Sequence, residues 1–196
     1  MEYDKRHSGP ALVLGSARCL QGDLHAARDL LPFAAVFCVN EASRILKPDF
    51  LVSLHYERME HFQKYARAAW PCGTWSNHAA VVTERGCVPD QFPAVQFWWP
   101  GLWTPAASSA WFGCLVAMAM GFENILLCGA PMNGGGGYYN ETEMTPDRIG
   151  SNGHSGKAYA KDAQDRLRTI KSEGQAGRVR SMSGFTREIF GGPTWH

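Results

Sequence analysis

Ser108-Ser109-Ala110-Trp111-Phe112-Gly113-Cys114-Leu115-Val116-Ala117-Met118-Ala119-Met120-Gly121, continued by Phe122-Glu123-Asn124-Ile125-Leu126-Leu127-Cys128-Gly129, reads as a helix with a polar start that gives way at once to a buried strand. Ser108 and Ser109 suit the helix start, because their hydroxyls can accept hydrogen bonds from its unpaired N–H groups. The same unpaired donors and the positive end of the helix dipole favour a phosphate or carboxylate. Gly121 is the expected helix stop. The apolar run Ile125 to Cys128 predicts a central strand of a parallel sheet. It ends at Gly129, ahead of the glycine-rich loop Asn133-Gly134-Gly135-Gly136-Gly137-Tyr138-Tyr139. Ligands of such sheets lie beyond the carboxyl ends of the strands.

Working outward, strands and helices alternate along the chain, which predicts an α/β fold with a mainly parallel sheet and helices on both faces. Ala11-Leu12-Val13-Leu14 predicts the first strand, turning at Gly15-Ser16-Ala17 into a helix over Gly22 to Leu31. Ala34 to Val39 predicts the second strand and ends at Asn40. Phe50 to Leu54 predicts the third, followed by a helix from Glu57 to Trp70. Ala79 to Val82 and Val95 to Trp99 read as further strands. A helix from His154 or Ser155 to Glu173 carries Ala158, Ala163, Leu167 and Ile170 on its apolar side. Arg178 to Ser183 reads as a last strand, and Thr186 to Gly191 as a tail. No repeat interrupts the pattern, and residues 1–196 form one domain. Residues 131–153 read as a lid or as an ordinary surface loop.

Composition narrows the function classes. A chain of 196 residues with a formal net charge of +1 has no bulk attraction for nucleic acid or anionic membrane. Met1 to His7 lacks the apolar core of a secretion signal, and no apolar run is long enough to span a bilayer. The expectation is a soluble, cytoplasmic protein, with homo-oligomerisation left open. The six cysteines include no CxxC pair, and Cys38, Cys114 and Cys128 lie in apolar runs. Buried reduced thiols fit this pattern better than disulfides or zinc.

The predicted strand ends carry Gly15 and Ser16, Asn40, and Gly129. Glycine lets backbone N–H groups approach phosphate, while Ser16, Asn40, Ser108 and Ser109 can supply orienting hydrogen bonds. Ordinary turn chemistry accounts for each residue equally well. After Gly15 the glycines of a dinucleotide fingerprint are absent, and no GxxxxGK[ST] loop occurs. His154, at the junction of the polar segment and the long helix, is a candidate general base near neutral pH or an exposed helix-start residue. His55 follows the third strand. His25 and His61 have no partners at metal-ligand spacing, which disfavours a metal site.

The block Ser108 to Gly129 resembles the helix and following strand of the bacterial sialyltransferases that use CMP-sialic acid. Ala11 to Ser16 is similar to their first strand and nucleotide turn, Asn40 to the asparagine after their second strand, and Gly153-His154-Ser155 to their Gly-His-Ser catalytic-base motif. The resemblance implies a single Rossmann-like domain and a nucleotide-sugar donor as substrate, without cofactor or metal. It implies His154 as the base, Tyr138 and Tyr139 near the donor phosphate, and Gly15, Ser16, Asn40, Ser108, Ser109 and Gly129 around the nucleotide. Pro131 stands where those enzymes usually carry an aspartate. The segment from Asn40 to His55 also resembles the Rossmann-like group that includes archaeal 6-hydroxymethylpterin diphosphokinases, which implies a Mg-dependent pyrophosphokinase as an alternative. His55, where that group commonly has aspartate, is a poor ligand for so hard an ion. The ending Ser181-Met182-Ser183-Gly184 with Thr186-Arg187-Glu188 resembles small phage-encoded proteins. That likeness leaves a non-catalytic nucleotide-sequestering module, acting in host cytoplasm, as a third reading.

Overall fold

A computed structural model describes residues 9–30, 32–55, 58–70, 78–81, 97–98, 108–133 and 156–194, with 78–81, 97–98 and 156–159 described by their backbone. Seven strands form a single sheet in the order β5-β4-β3-β2-β1-β6-β7. They are β1 (Ala11–Leu14), β2 (Ala35–Val39), β3 (Phe50–Ser53), β4 (His78–Val81), β5 (Phe97–Trp98), β6 (Ile125–Cys128) and β7 (Val179–Ser181). Every pairing is parallel. The chain builds outward from β1 to β5, then crosses back to place β6 on the other side of β1. The strand order therefore reverses between β1 and β6, which is where open parallel sheets present a ligand crevice.

Alternation along the strands divides the core between two faces. Ala11, Val13, Phe37, Val39, Val52, Ile125, Leu127 and Val179 pack on one side with α3 (Ser109–Ala119), with Leu167 and Ile170 of α4 (Gly156–Ser172), and with Phe185 and Phe190 of α5 (Gly184–Phe190). Leu12, Leu14, Cys38, Leu126 and Cys128 face the other way, onto Leu20 and Ala27 of α1 (Leu20–Ala27) and Ala42 of the short 3-10 turn after β2. Central strands covered on both faces must be apolar throughout, which is why β1 and β6 read as continuous hydrophobic runs. Burying each large side chain, such as Phe37 or Leu126, contributes roughly 1.5–3 kcal/mol. On that 3-10 turn packs α2 (Met59–Ala69), and the Trp70 indole N–H following it donates to the Ser43 carbonyl at 2.8 Å.

The decisive stretch folds as its residues dictate. Ser108 is the N-cap of α3, and its hydroxyl oxygen accepts from the Trp111 N–H at 3.1 Å. At the other end Gly121 N donates to Met118 O and Phe122 N to Ala117 O, closing the last turn with a glycine at positive φ. Gly113 lies against Val13 and Val39, while the Phe122 ring meets Phe37 edge-on at 5.7 Å. The helix consequently runs antiparallel to the strands, and its N-terminus stands at their carboxyl edge.

Several boundaries differ from the sequence reading. Helix α1 begins at Leu20, ahead of the expected Gly22, and passes into a 3-10 turn over Arg28–Leu30. The expected tail after the last strand is instead α5, and Trp111 stacks on its Phe190 at 5.1 Å. A helix this short has little stability of its own and forms because Phe185 and Phe190 are buried by the rest of the fold. The chain after α5 returns along β7, where Ser181 N donates to the Gly191 carbonyl at 2.9 Å and covers part of this edge strand.

Candidate functional site

Gly15 follows β1, Asn40 follows β2 and Gly129 follows β6, so three neighbouring strands deliver them side by side at one edge of the sheet. Ser108 and Ser109 join them from the start of α3. Ser16 is buried in the same turn as Gly15, and Ser108 is buried at its cap. The six residues that the sequence reading proposed within the described chain thus lie at the ends of β1, β2 and β6 or at the start of α3. Tyr138, Tyr139 and His154 lie outside the described residues.

Asn40 occupies the left-handed region at φ 52°, a conformation that asparagine tolerates better than most residues. Its side-chain carbonyl accepts from the Ser53 hydroxyl at 2.6 Å, and the same Ser53 oxygen accepts from the His55 N–H at 2.9 Å. The last residue of β3 thereby sets the orientation of the residue after β2. With the carbonyl so engaged, the Asn40 amide NH2 has no partner among the described residues and remains a donor at the edge.

The glycines behave differently from a phosphate-binding loop. Gly15 N donates to Cys128 O at 2.8 Å, and Ala17 N donates to Gly129 O at 3.0 Å, so the two loops are laced together. Gly129 N donates to Oδ2 of Asp23 at 2.8 Å. That carboxylate oxygen also accepts from the Ser183 hydroxyl at 2.8 Å, and Ser183 contacts the Cys19 sulfur at 3.2 Å. Asp23 is buried in the first turn of α1, where a negative charge suits the helix dipole. Burial, with Asp23 close by, pushes the Cys19 thiol up to about 11, although its hydrogen bond with Ser183 acts the other way. Burial likewise raises Cys38, Cys114 and Cys128, so none of these thiols is suited to nucleophilic work near neutral pH. All four are free.

The root of the glycine-rich loop is held on several sides. Thr186 Oγ1 donates to Ala130 O at 2.9 Å, Phe185 N donates to the Asn133 side chain at 2.7 Å, and Gln164 of α4 donates to Met132 O. Residues 131–133 therefore belong to the body of the domain, and the remainder of the expected lid, 134–153, lies outside the described residues.

Asp23, Ser53, Ser183 and Thr186 were not nominated from sequence. Ser53 ends an otherwise apolar strand and Asp23 sits on a helix face with buried Leu20 and Ala27, so a polar residue at a core-facing position was the available signal. The partners of Asp23 and the Ala130 acceptor of Thr186 lie too far away in sequence to be read locally. Among the described residues no group of three or more His, Cys, Asp or Glu is placed to hold a metal, and no helix is long and apolar enough to cross a membrane.

No family model and no curated protein matches the chain. Among solved structures, it is similar to the sialyltransferase CstII from Campylobacter jejuni in complex with a substrate analogue, cytidine-5'-monophosphate. That match has a TM-score of 0.56 and 12% identity over 98% of this chain and 90% of the other. It is also similar to MAf glycosyltransferase from Magnetospirillum magneticum AMB-1, with a TM-score of 0.55 and 15% identity over 92% of this chain, which spans 33% of that protein. At these identities the matches establish a shared α/β, Rossmann-like fold. Neither is a pterin diphosphokinase or a phage protein.

Proposed function

We propose that this chain is a glycosyltransferase that binds a nucleotide-activated sugar of the CMP type at the carboxyl edge of β2, β1 and β6. The observation carrying the proposal is the Ser53-oriented Asn40 amide at the end of β2, beside the laced Gly15 and Gly129 loops that follow β1 and β6. The fold shared with a CMP-bound sialyltransferase supports the same reading. In this arrangement Asn40 and Ser16 orient the nucleotide. Gly15 and Gly129 shape the floor, and the Ser109 end of α3 faces the phosphate.

The reaction that follows from this reading is a displacement at the anomeric carbon. His154 takes the proton of the acceptor hydroxyl as its oxygen attacks that carbon. The bond from the carbon to the phosphate oxygen breaks, and the electron pair leaves with CMP. Hydrogen bonds from Tyr138 or Tyr139, together with the end of α3, stabilise the departing phosphate. Metal ions and cofactors have no part in this scheme.

Calorimetry and thermal shift with CMP, UDP, ADP, GDP and the triphosphates, each with and without Mg²⁺, test the proposal together with hydrolysis of a CMP-sugar. Selective stabilisation by CMP without metal, with slow donor hydrolysis, is the expected result. A response confined to triphosphate with Mg²⁺ would replace it with pyrophosphokinase chemistry, and tight binding without turnover would point to a sequestering module.

A further inference from the structure

We propose that Asp23 is a specificity-determining residue which excludes a second phosphate from the turn between β1 and α1, confining the chain to donors with a single phosphate. The inference rests on the reading of this edge as a nucleotide site and adds a cause for donor choice. In doubly wound folds the N-terminus of the first helix and its preceding turn receive the pyrophosphate, offering free N–H groups and a positive dipole end. Here the dipole end faces the Asp23 carboxylate and several of the donors are already engaged.

Four backbone donors of this segment are committed to acceptors within the fold. Gly15 N is given to Cys128 O, Ala17 N to Gly129 O, Leu20 N to Ala17 O, and Asp23 N to Cys19 O. The Gly129 N–H, at the end of β6, is given to the Asp23 carboxylate. Asp23 is 7% exposed and its carboxylate is held by two hydrogen bonds of 2.8 Å, so it cannot swing aside when an anion approaches. An incoming phosphate would meet a fixed negative charge in a setting of reduced dielectric, where repulsion over several ångströms amounts to an affinity loss on the order of tenfold. The N-terminus of α3 lies on the opposite face of the sheet from α1 and has no acidic residue in its first turn. A single phosphate is accepted there.

The test compares CMP, CDP, CTP and inorganic pyrophosphate by calorimetry in the presence of EDTA, using the wild type and Asp23→Asn. Asparagine keeps an oxygen for Gly129 N–H and removes the charge. The wild type should bind CMP more tightly than CDP and CTP, and Asp23→Asn should narrow the CTP deficit on the order of tenfold while changing CMP affinity less than about twofold. Equal wild-type affinities for CMP and CTP would overturn the proposal, whether or not the variant folds. So would an unchanged CTP to CMP ratio in a folded Asp23→Asn. If no cytidine nucleotide binds either protein, the nucleotide reading falls and pyrophosphate decides. Binding by Asp23→Asn alone sustains the exclusion, whereas binding by both or by neither overturns it.

Discussion

The backbones of Gly15 and Gly129 approach so closely that a Cβ on Gly15 would stand 2.4 Å from the Gly129 carbonyl oxygen, and one on Gly129 would stand 2.6 Å from that of Gly15. The contact joins the loops after β1 and β6, the two strands that flank the switch point. Because the obstructing atoms are backbone, no rotamer change relieves the clash. Gly15→Ala should therefore lose about 2 kcal/mol or more of stability. Gly129→Ala should lose more, since its φ of +67° adds strain for any residue with a side chain. Urea denaturation reads both, and an unchanged midpoint would show that the two loops can separate freely.

Asn40 combines a conformational and a binding role, and two substitutions separate them. Asn40→Gly removes the amide while accepting the left-handed backbone, so nucleotide affinity should fall by about 1 kcal/mol, with a loss of melting temperature limited to what the buried Ser53 hydroxyl suffers without its acceptor. Asn40→Ala should weaken binding equally and also destabilise the fold. Ser53→Ala, which releases the Asn40 side chain, should lower affinity in the same direction. Calorimetric affinity beside a melting curve distinguishes these effects; full affinity in all three variants would remove Asn40 from the site.

At the start of α3, Ser108→Ala should cost about 1 kcal/mol of stability through loss of the cap to Trp111 N. Ser109→Ala should leave stability nearly unchanged and weaken nucleotide binding by a similar amount. Denaturation and calorimetry on the same two proteins check the division of labour. A reversal would make Ser109 the structural residue.

His154→Ala should reduce donor turnover roughly 100- to 10,000-fold and leave nucleotide affinity largely intact, because a base acting on the acceptor does not hold the donor. The wild-type rate should rise with pH between about 5 and 8 as the imidazole becomes neutral. Full turnover in the variant, or a flat profile, would exclude His154 as the base.

Alkaline pH should destabilise the fold through its buried thiols. The Cys19 thiol has an ordinary value of 9.0 and is raised to about 11 in the folded chain, so the unfolded chain loses this proton first. Its contribution is present below about 9 and disappears as pH rises toward 11. Burial moves Cys38, Cys114 and Cys128 in the same direction. Melting temperature followed from pH 8 to 11 should fall less steeply in Cys19→Ala than in the wild type. Parallel curves would contradict the assignment.

Local pattern was sufficient for the elements that carry their own signal. The Ser108 cap, the Gly121 stop and the apolar Ile125–Cys128 strand are each determined by neighbours within a few positions, and they appear in the structure as read. Alternation of strands and helices likewise determined the α/β class, and small or amide residues at strand ends marked the edge that gathers Gly15, Asn40 and Gly129. Helix α5 was not legible, because its seven residues form through contacts with Trp111 and the 130–133 segment rather than through an amphipathic pattern of their own. Tertiary structure alone decided the role of Asp23, whose partners Gly129 and Ser183 are 106 and 160 positions away. It also decided which donors remain free: Gly129, the residue that sequence offered to phosphate, gives its N–H to that carboxylate, while Asn40 has its carbonyl taken by Ser53 and keeps its amide. A backbone N–H shows no preference in sequence for an internal or an external acceptor; the choice is made when distant strands bring a competing oxygen within hydrogen-bonding reach.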